Sequence, residues 1–440
     1  MDSARYNVGP SPDLIDPRRM DEANPIPARS HKLIARTFLA AVLATHVFFL
    51  WSVRGGIRRG DPDFTVFYTA ATILRQGLGH QLYEPATQRA VQAEFACDTD
   101  IRRGPLPYIH PPFEALLFLP LTFLPYTTAF GVWNFLCLGM LTAVVFRLRR
   151  LSPALARVSS FELTLWSLAF FPIFANFHQG QDAILLLLVV TLSFGALDRG
   201  AADFAAGCWL GCGVFKFHLM VPLALILVAW RGRKFLSGFA AVAGAAVCIS
   251  VALVGWNEAM QYPVYVSGVM AHAGYGAIPP RQLPNLLGLF AGWSALDVYG
   301  WQVKTLVAIG SAGFLLAAIS LRRSTSTKAG FRLGFSAATI IALLVGYSTN
   351  TYDLSLLLAP IALILDYTLR DLRGQPARQA AITLPLGFLF ISPLWFFLWM
   401  QWERINLIAL LLLWWLFAIG RELLRMAPTE SVLTSAAHSQ

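Results

Sequence analysis

Apolar runs recur along almost the whole chain, each close to the roughly 20 residues a helix needs to cross a bilayer. Twelve can be marked, at 33–53, 129–147, 159–177, 182–197, 201–215, 217–230, 235–254, 301–321, 331–348, 354–369, 379–399 and 405–420. Inside a bilayer the backbone cannot reach water, so a single run can only be a helix. The expected fold is therefore an all-α polytopic membrane protein with a bundle of about 12 transmembrane helices. Of the 440 residues, 56% are hydrophobic and 13% charged, roughly half the charge of a soluble domain. Residues 1–32 read as a polar cytoplasmic tail, 33–425 as one membrane domain and 426–440 as a disordered polar tail. Arg18, Arg19, Arg29 and Lys32 precede the first run and no small-residue cleavage site follows it, so it reads as an uncleaved span rather than a signal peptide.

A net charge of +10 would suggest nucleic acid in a soluble protein. Here the basic residues fall between apolar runs and report topology instead. Arg147, Arg149 and Arg150 follow the second run, and Arg231, Arg233 and Lys234 follow the sixth. Arg322, Arg323, Lys328 and Arg332 separate the eighth from the ninth, Arg370, Arg373 and Arg378 the tenth from the eleventh, and Arg421 and Arg425 follow the last. Twelve spans with both termini inside put all five clusters on the cytoplasmic face of the cell membrane. The seven arginines of the 54–128 loop are the dissenting vote.

The outer face then carries two large loops, 54–128 and 255–300. In the first, Phe64, Phe67, Tyr68, Ala71 and Leu74 recur at helical spacing, and Pro85 opens a second helix. Both are expected to lie along the membrane surface. Residues 113–125 are apolar but short and broken by Pro120 and Pro125, which suggests a re-entrant or interfacial segment. Gly207 and Gly211 form a helix-packing pair. Four of the five cysteines, Cys137, Cys208, Cys212 and Cys248, lie in apolar runs, and Cys97 in the loop has no evident partner.

Polar residues at membrane depth are costly and need a reason. Those on the predicted outer side gather in six places. Asp61 and Asp63 follow the first span. Their spacing suits either a divalent cation or a general base, and Asp63 could equally cap the helix it precedes. His110 stands before Pro111 and Pro112. His178, Gln179, Gln181 and Asp182 crowd a tight turn. Lys216 and His218 sit between the fifth and sixth runs, where a lysine breaks the charge pattern; it could snorkel or bind a lipid phosphate. His272, Arg281 and Asn285 lie in the second loop, and Asn350, Tyr352 and Asp353 in the turn between the ninth and tenth runs.

Asp63-Phe64, Tyr68, Ala70-Ala71, Gly77, Leu82-Tyr83 and Pro85 resemble the first-loop signature of glycosyltransferase family 87, the bacterial α-1,2-mannosyltransferase-like membrane proteins of GT-C architecture. Tyr108, His110-Pro111-Pro112 and Trp133 resemble its next block, Gly180-Gln181 and Lys216 a third, and Asn285 and Tyr352-Asp353 its later polar positions. The resemblance runs from about residue 33 to 420. It departs at Phe217, where proline is expected after the lysine, and at His110, where an aromatic is expected. The likeness implies a GT-C-like bundle with a structured first outer loop and an inverting transfer of a hexose, mannose-like, at the extracytoplasmic face. The donor would be a polyprenyl-phosphate sugar and the acceptor a glycan or glycolipid. Asp63 would be the base; Lys216, His218 and Arg281 would meet the donor phosphate; Tyr68, His110, Gln181, Asn285 and Asp353 would line the substrate site. No cofactor is needed, although Asp61 and Asp63 keep a divalent cation possible. The absence of a phosphate-binding glycine loop agrees. The alternative is a polyprenyl-lipid or small-solute transporter, which would use the same cations without a base. No repeat between the two halves of the chain favours it.

Overall fold

The computed structural model describes residues 28–96, 106–200, 202–271, 279–293 and 300–426, and among them there are helices and 3-10 turns but no strand. Helix α1 (Ala28–Ser52) leads into the first large loop, which folds as α2 (Phe64–Arg75) and α3 (Pro85–Phe95). The central helices follow: α4 (Tyr126–Leu151), α5 (Ser160–Ala169), α6 (Phe171–Gln179), α7 (Ala183–Leu197), α8 (Asp203–Gly211), α9 (Phe217–Arg231), α10 (Arg233–Val254) and α11 (Trp256–Ala271). The remainder is α12 (Leu286–Trp293), α13 (Trp301–Ser320), α14 (Lys328–Val345), α15 (Leu358–Arg370), α16 (Pro376–Leu389) and α17 (Ile408–Met426). The protein is an all-α polytopic membrane protein.

Every one of the twelve apolar runs carries a helix, but not all are full crossings. Eight described segments are long and apolar enough to span, and two bent pairs raise this to ten: α5 with α6, bent by 75°, and Pro376–Leu389 with Ser392–Gln401, bent by 56°. The other two runs are α7, with 15 residues, and α8, with nine. At 1.5 Å per residue these reach about 22 and 14 Å, short of the roughly 30 Å hydrocarbon core. α7 tolerates this because twelve of its residues are buried, so protein and not lipid surrounds it.

Two features of the first loop differ from or match expectation in instructive ways. α2 does not lie on a membrane surface, since ten of its twelve residues are buried. Its second face is covered by α3 and by the 112–123 segment, where Phe118 stacks on Phe67 with centroids 4.5 Å apart. That segment is a chain of 3-10 and α turns from Pro112 to Phe123, too short to cross.

Polar groups mark two opposite ends of the bundle. At one, Arg332 is buried and grips both oxygens of Asp198 at 3.0 Å, Asp366 at 2.9 Å and the Leu151 carbonyl at 2.7 Å. The other Asp366 oxygen accepts from the Ala154 amide. Arg370 reaches the same carboxylate, Arg231 pairs with Asp203, and Arg378 and Arg425 share Glu422. All five basic clusters of the sequence therefore meet at one pole. α7 runs from Asp182 to this pole, and α14 runs from it towards Asn350 and Asp353. The turns at 180–182, 214–216 and 350–353 accordingly gather at the opposite pole.

α8 sets the height of one of these turns. A Cβ on Gly207 would collide with the Phe235 carbonyl, and one on Gly238 with the Phe204 carbonyl, so α8 and α10 meet backbone to backbone.

Candidate active site

Asp63 ends a tight reversal at Gly60, which adopts φ 82°, and opens α2. Its side chain makes no capping bond. Instead its Oδ2 accepts from Gln181 Nε2 at 2.9 Å, while its backbone N–H donates to Gln179 Oε1 at 3.1 Å. Both glutamines flank Gly180, whose φ of 62° turns α6 into α7; a side chain there would strike Phe64 and Phe130. Glycine is thus required both for the backbone angle and for the closeness that brings Gln181 to Asp63.

Gln181 points the other way as well. Its Oε1 lies 3.4 Å from Lys216 Nζ. Flipping the amide would set its NH2 against an ammonium and its oxygen against a carboxylate, so electrostatics fix its orientation. Lys216 ends the 3-10 turn Val214–Lys216 below α8. Only 2% exposed, it lies 2.9 Å from Asp182 Oδ1 and 2.7 Å from Asp353 Oδ1, with Tyr352 beneath it at 4.7 Å. It donates hydrogen bonds to Asp353 and Gln181, and holds Asp182 as an ion pair. Asp353 does double service: its other oxygen accepts the Asn350 amide at 2.8 Å in a capping box whose N-cap is Asn350.

Behind Asp182 lies Glu114, fully buried, with His110 Nδ1 2.8 Å from its Oε2. Burial pushes the His110 imidazole down to about 4, so near neutral pH this contact is not an ion pair. Glu114 is the site residue that sequence reasoning passed over. A signal existed: it is the lone charged residue between Leu106 and Phe146, and an isolated acid in an apolar run is a functional candidate.

These groups wall two small hollows. One, of about 100 Å³, is lined by Asp63, His110, Gln181, Lys216, His218, Tyr262, Tyr347 and Asp353 among others. The second, of about 90 Å³, is lined by Gln179, Gln282 and Trp399. Asp63, Asn350 and Tyr352 belong to both, so the carboxylate stands where they meet. His218 Nε2 is buried with no hydrogen-bond partner among the described residues. A larger cavity, about 420 Å³, lies elsewhere, between α4, α5, α15 and α16, with mostly apolar walls.

The structure thus brings together Asp63, His110, Gln181, Lys216, His218 and Asp353. It does not bring Tyr68, whose hydroxyl donates to the Leu124 carbonyl inside an aromatic cluster with Phe95 and Tyr126. Asn285 is buried as a brace: it donates to the Gly346 carbonyl and accepts from the Gly288 amide. Arg281 is exposed on the 3-10 turn Pro280–Gln282, next to the residue that lines the second hollow. Asp61 turns back to Arg59 at 3.4 Å and lines neither hollow. A group whose possible metal ligands converge among the described residues is His110, Glu114 and Asp182. His272 lies outside the described residues.

Comparison with known proteins bears on this site. The model of glycosyltransferase family 87 matches residues 108–346, a stretch that holds His110, Glu114, Gln181, Asp182, Lys216, His218 and Asn285. A polyprenol-phosphate-mannose-dependent alpha-(1-2)-phosphatidylinositol pentamannoside mannosyltransferase of Mycobacterium tuberculosis (strain CDC 1551 / Oshkosh) is 32% identical over 250 residues, 49% of this chain and 55% of the relative. The chain thus spans about half the length of this curated relative. No solved structure matches it.

Proposed function

The chain belongs to glycosyltransferase family 87, and on that premise we propose that it moves a hexose, mannose-like, from a polyprenyl-phosphate donor to a glycan or glycolipid acceptor. The relative's name supplies the donor and glycolipid classes. The basic pole faces the cytoplasm by the positive-inside rule, which leaves the site on the extracytoplasmic face.

The observation that carries the reading is Asp63 at the junction of two hollows. A carboxylate between two substrates is where a single displacement needs its base. The acceptor hydroxyl gives its proton to Asp63 as its oxygen attacks the anomeric carbon. The bond from that carbon to the phosphate oxygen breaks, the lipid phosphate departs with the electron pair, and the anomeric configuration inverts. Gln181 holds the carboxylate in aim. His218, on the wall of the first hollow and with its Nε2 unpartnered among the described residues, is the group placed to meet the developing phosphate charge. Lys216 is better suited to hold Gln181 and the acids than to meet a phosphate, because its buried ammonium already lies between Asp182, Asp353 and Gln181.

The test is transfer of label from radiolabelled polyprenyl-phosphate mannose to a membrane glycolipid extract by the purified protein. Asp63→Asn keeps size and makes no difference to capping, since Asp63 does not cap. Turnover should fall by about 10²–10⁴ with the fold intact. Undiminished transfer by this variant would sink the assignment, and label that moves across the bilayer without leaving its lipid would indicate a transporter.

A further inference from the structure

The buried charges of the site do not balance. Glu114, Asp182, Asp353 and Lys216 are each no more than 2% exposed. With all three carboxylates ionised, one ammonium would leave two negative charges uncompensated. Such burial is very costly unless something neutralises it. Asp353 is satisfied by Lys216 and by the Asn350 amide. The deficit therefore sits at Glu114 and Asp182. Neither oxygen of Glu114 accepts a hydrogen bond, and nor does either oxygen of Asp182, whose Oδ1 meets Lys216 as an ion pair. His110 Nδ1 approaches Glu114 at 2.8 Å without the alignment of a hydrogen bond. One ligand atom from each of His110, Glu114 and Asp182 lies within 4.8 Å of the others. A cation about 2.1 Å from each needs these atoms no more than about 4.2 Å apart, which small side-chain shifts would supply.

We propose that His110, Glu114 and Asp182 form a divalent-cation site behind the transfer pocket. One dication cancels the two uncompensated charges, whereas one proton shared between the carboxylates cancels half. An imidazole with two carboxylates suits Mn²⁺ or Zn²⁺ better than Ca²⁺, which takes six to eight oxygens. His110 also lines the hollow containing Asp63, so the ion would sit at its inner wall. There it would hold the 110–114 segment against the turn that carries Gln181. The inference does not depend on what the pocket transfers.

Metal content decides it. Full-length protein in detergent is stripped with EDTA, dialysed against Mn²⁺, Zn²⁺ or Ca²⁺, and read by mass spectrometry of bound metal together with its thermal midpoint. One Mn²⁺ or Zn²⁺ per chain is expected, with a lower midpoint after stripping. Glu114→Gln, which mimics a neutral acid in shape, should weaken binding more than about a hundredfold, beyond the cost of outer-shell changes. Asp61→Asn should bind as the wild type does. No stoichiometric metal in the wild type, with Glu114→Gln as stable or more so, would leave a shared proton in place of the ion and overturn the proposal. So would Glu114→Gln that binds metal normally. If Glu114→Gln does not fold, His110→Gln answers the same question: wild-type affinity in it also overturns the site.

Discussion

Replacing Lys216 with methionine asks whether this lysine is a buried brace or a free cation. Its ammonium lies 2.9 Å from Asp182 and 2.7 Å from Asp353, in a side chain 2% exposed. Methionine keeps most of the stem volume, so little packing is lost. What disappears is the positive charge between two acids. Removing one partner of a buried pair costs about 3–5 kcal/mol, and here the removal leaves Asp353 without its cation, so the expected loss falls in that range. Equilibrium unfolding of the purified protein in mixed micelles of mild detergent and SDS would read it. Adding Asp353→Asn to the same chain removes one stranded charge and should return roughly 1–3 kcal/mol, the scale of coupling between touching groups. A Lys216→Met protein within about 1 kcal/mol of wild type, a change typical of ordinary substitutions, with donor affinity alone reduced, would refute the brace and make the lysine a phosphate ligand.

His218→Phe keeps the tilted ring contact with Tyr347 but removes the unpartnered nitrogen; a hydrogen bond to a charged group is worth about 1.5–3 kcal/mol, so KM for the lipid-phosphate donor should rise about ten- to a hundredfold, as measured by titrating donor at saturating acceptor. Gln181→Leu should lower kcat more than KM for either substrate, because it frees Asp63 without removing it; an equal rise in KM would point to substrate contact instead. Arg332→Met leaves Asp198 and Asp366 buried without their guanidinium and should cost about 3–5 kcal/mol in the same unfolding assay, with activity per folded molecule unchanged. In a chain freed of native cysteines, Gln76→Cys should react with an impermeant maleimide in intact cells and Arg373→Cys only after permeabilisation; the reverse pattern inverts the topology.

Each of the twelve apolar runs carries a helix because hydrophobic length is imposed by the bilayer and is independent of partners, whereas Trp256–Ala271 and Leu286–Trp293 lay in what read as a loop. Full crossings were harder, since the length a helix needs depends on whether lipid or protein surrounds it, as α7 shows. The same limit applies to α2. Its apolar face could be read from Phe64, Phe67 and Ala71, but not the cover over its other face, which comes from residues 112–123. Within the site, Asp63, Gln181, Lys216 and Asp353 stood out as polar residues in costly places. Their pairing did not, because Lys216 and Asp353 are 137 positions apart and sequence does not say which acid meets which base. Tyr68 and Asn285 shared the look of site residues, yet a buried tyrosine hydroxyl or asparagine must bond to something, and here each found a backbone carbonyl.

The shortness of α7 and α8 has a consequence for how the chain is made. Neither helix can reach both headgroup layers, so the insertion machinery meets a hairpin that cannot commit to the bilayer on its own. The glycine face of α8 finds its seat only against α10, and α10 ends at Val254, after α8 has left the ribosome. The turn bearing Gln181 and Asp182 therefore reaches its final depth late in synthesis. Substitutions that widen Gly207 or Gly238 should show up as chains stalled in the membrane and cleared by proteolysis, before any folded but inactive enzyme accumulates.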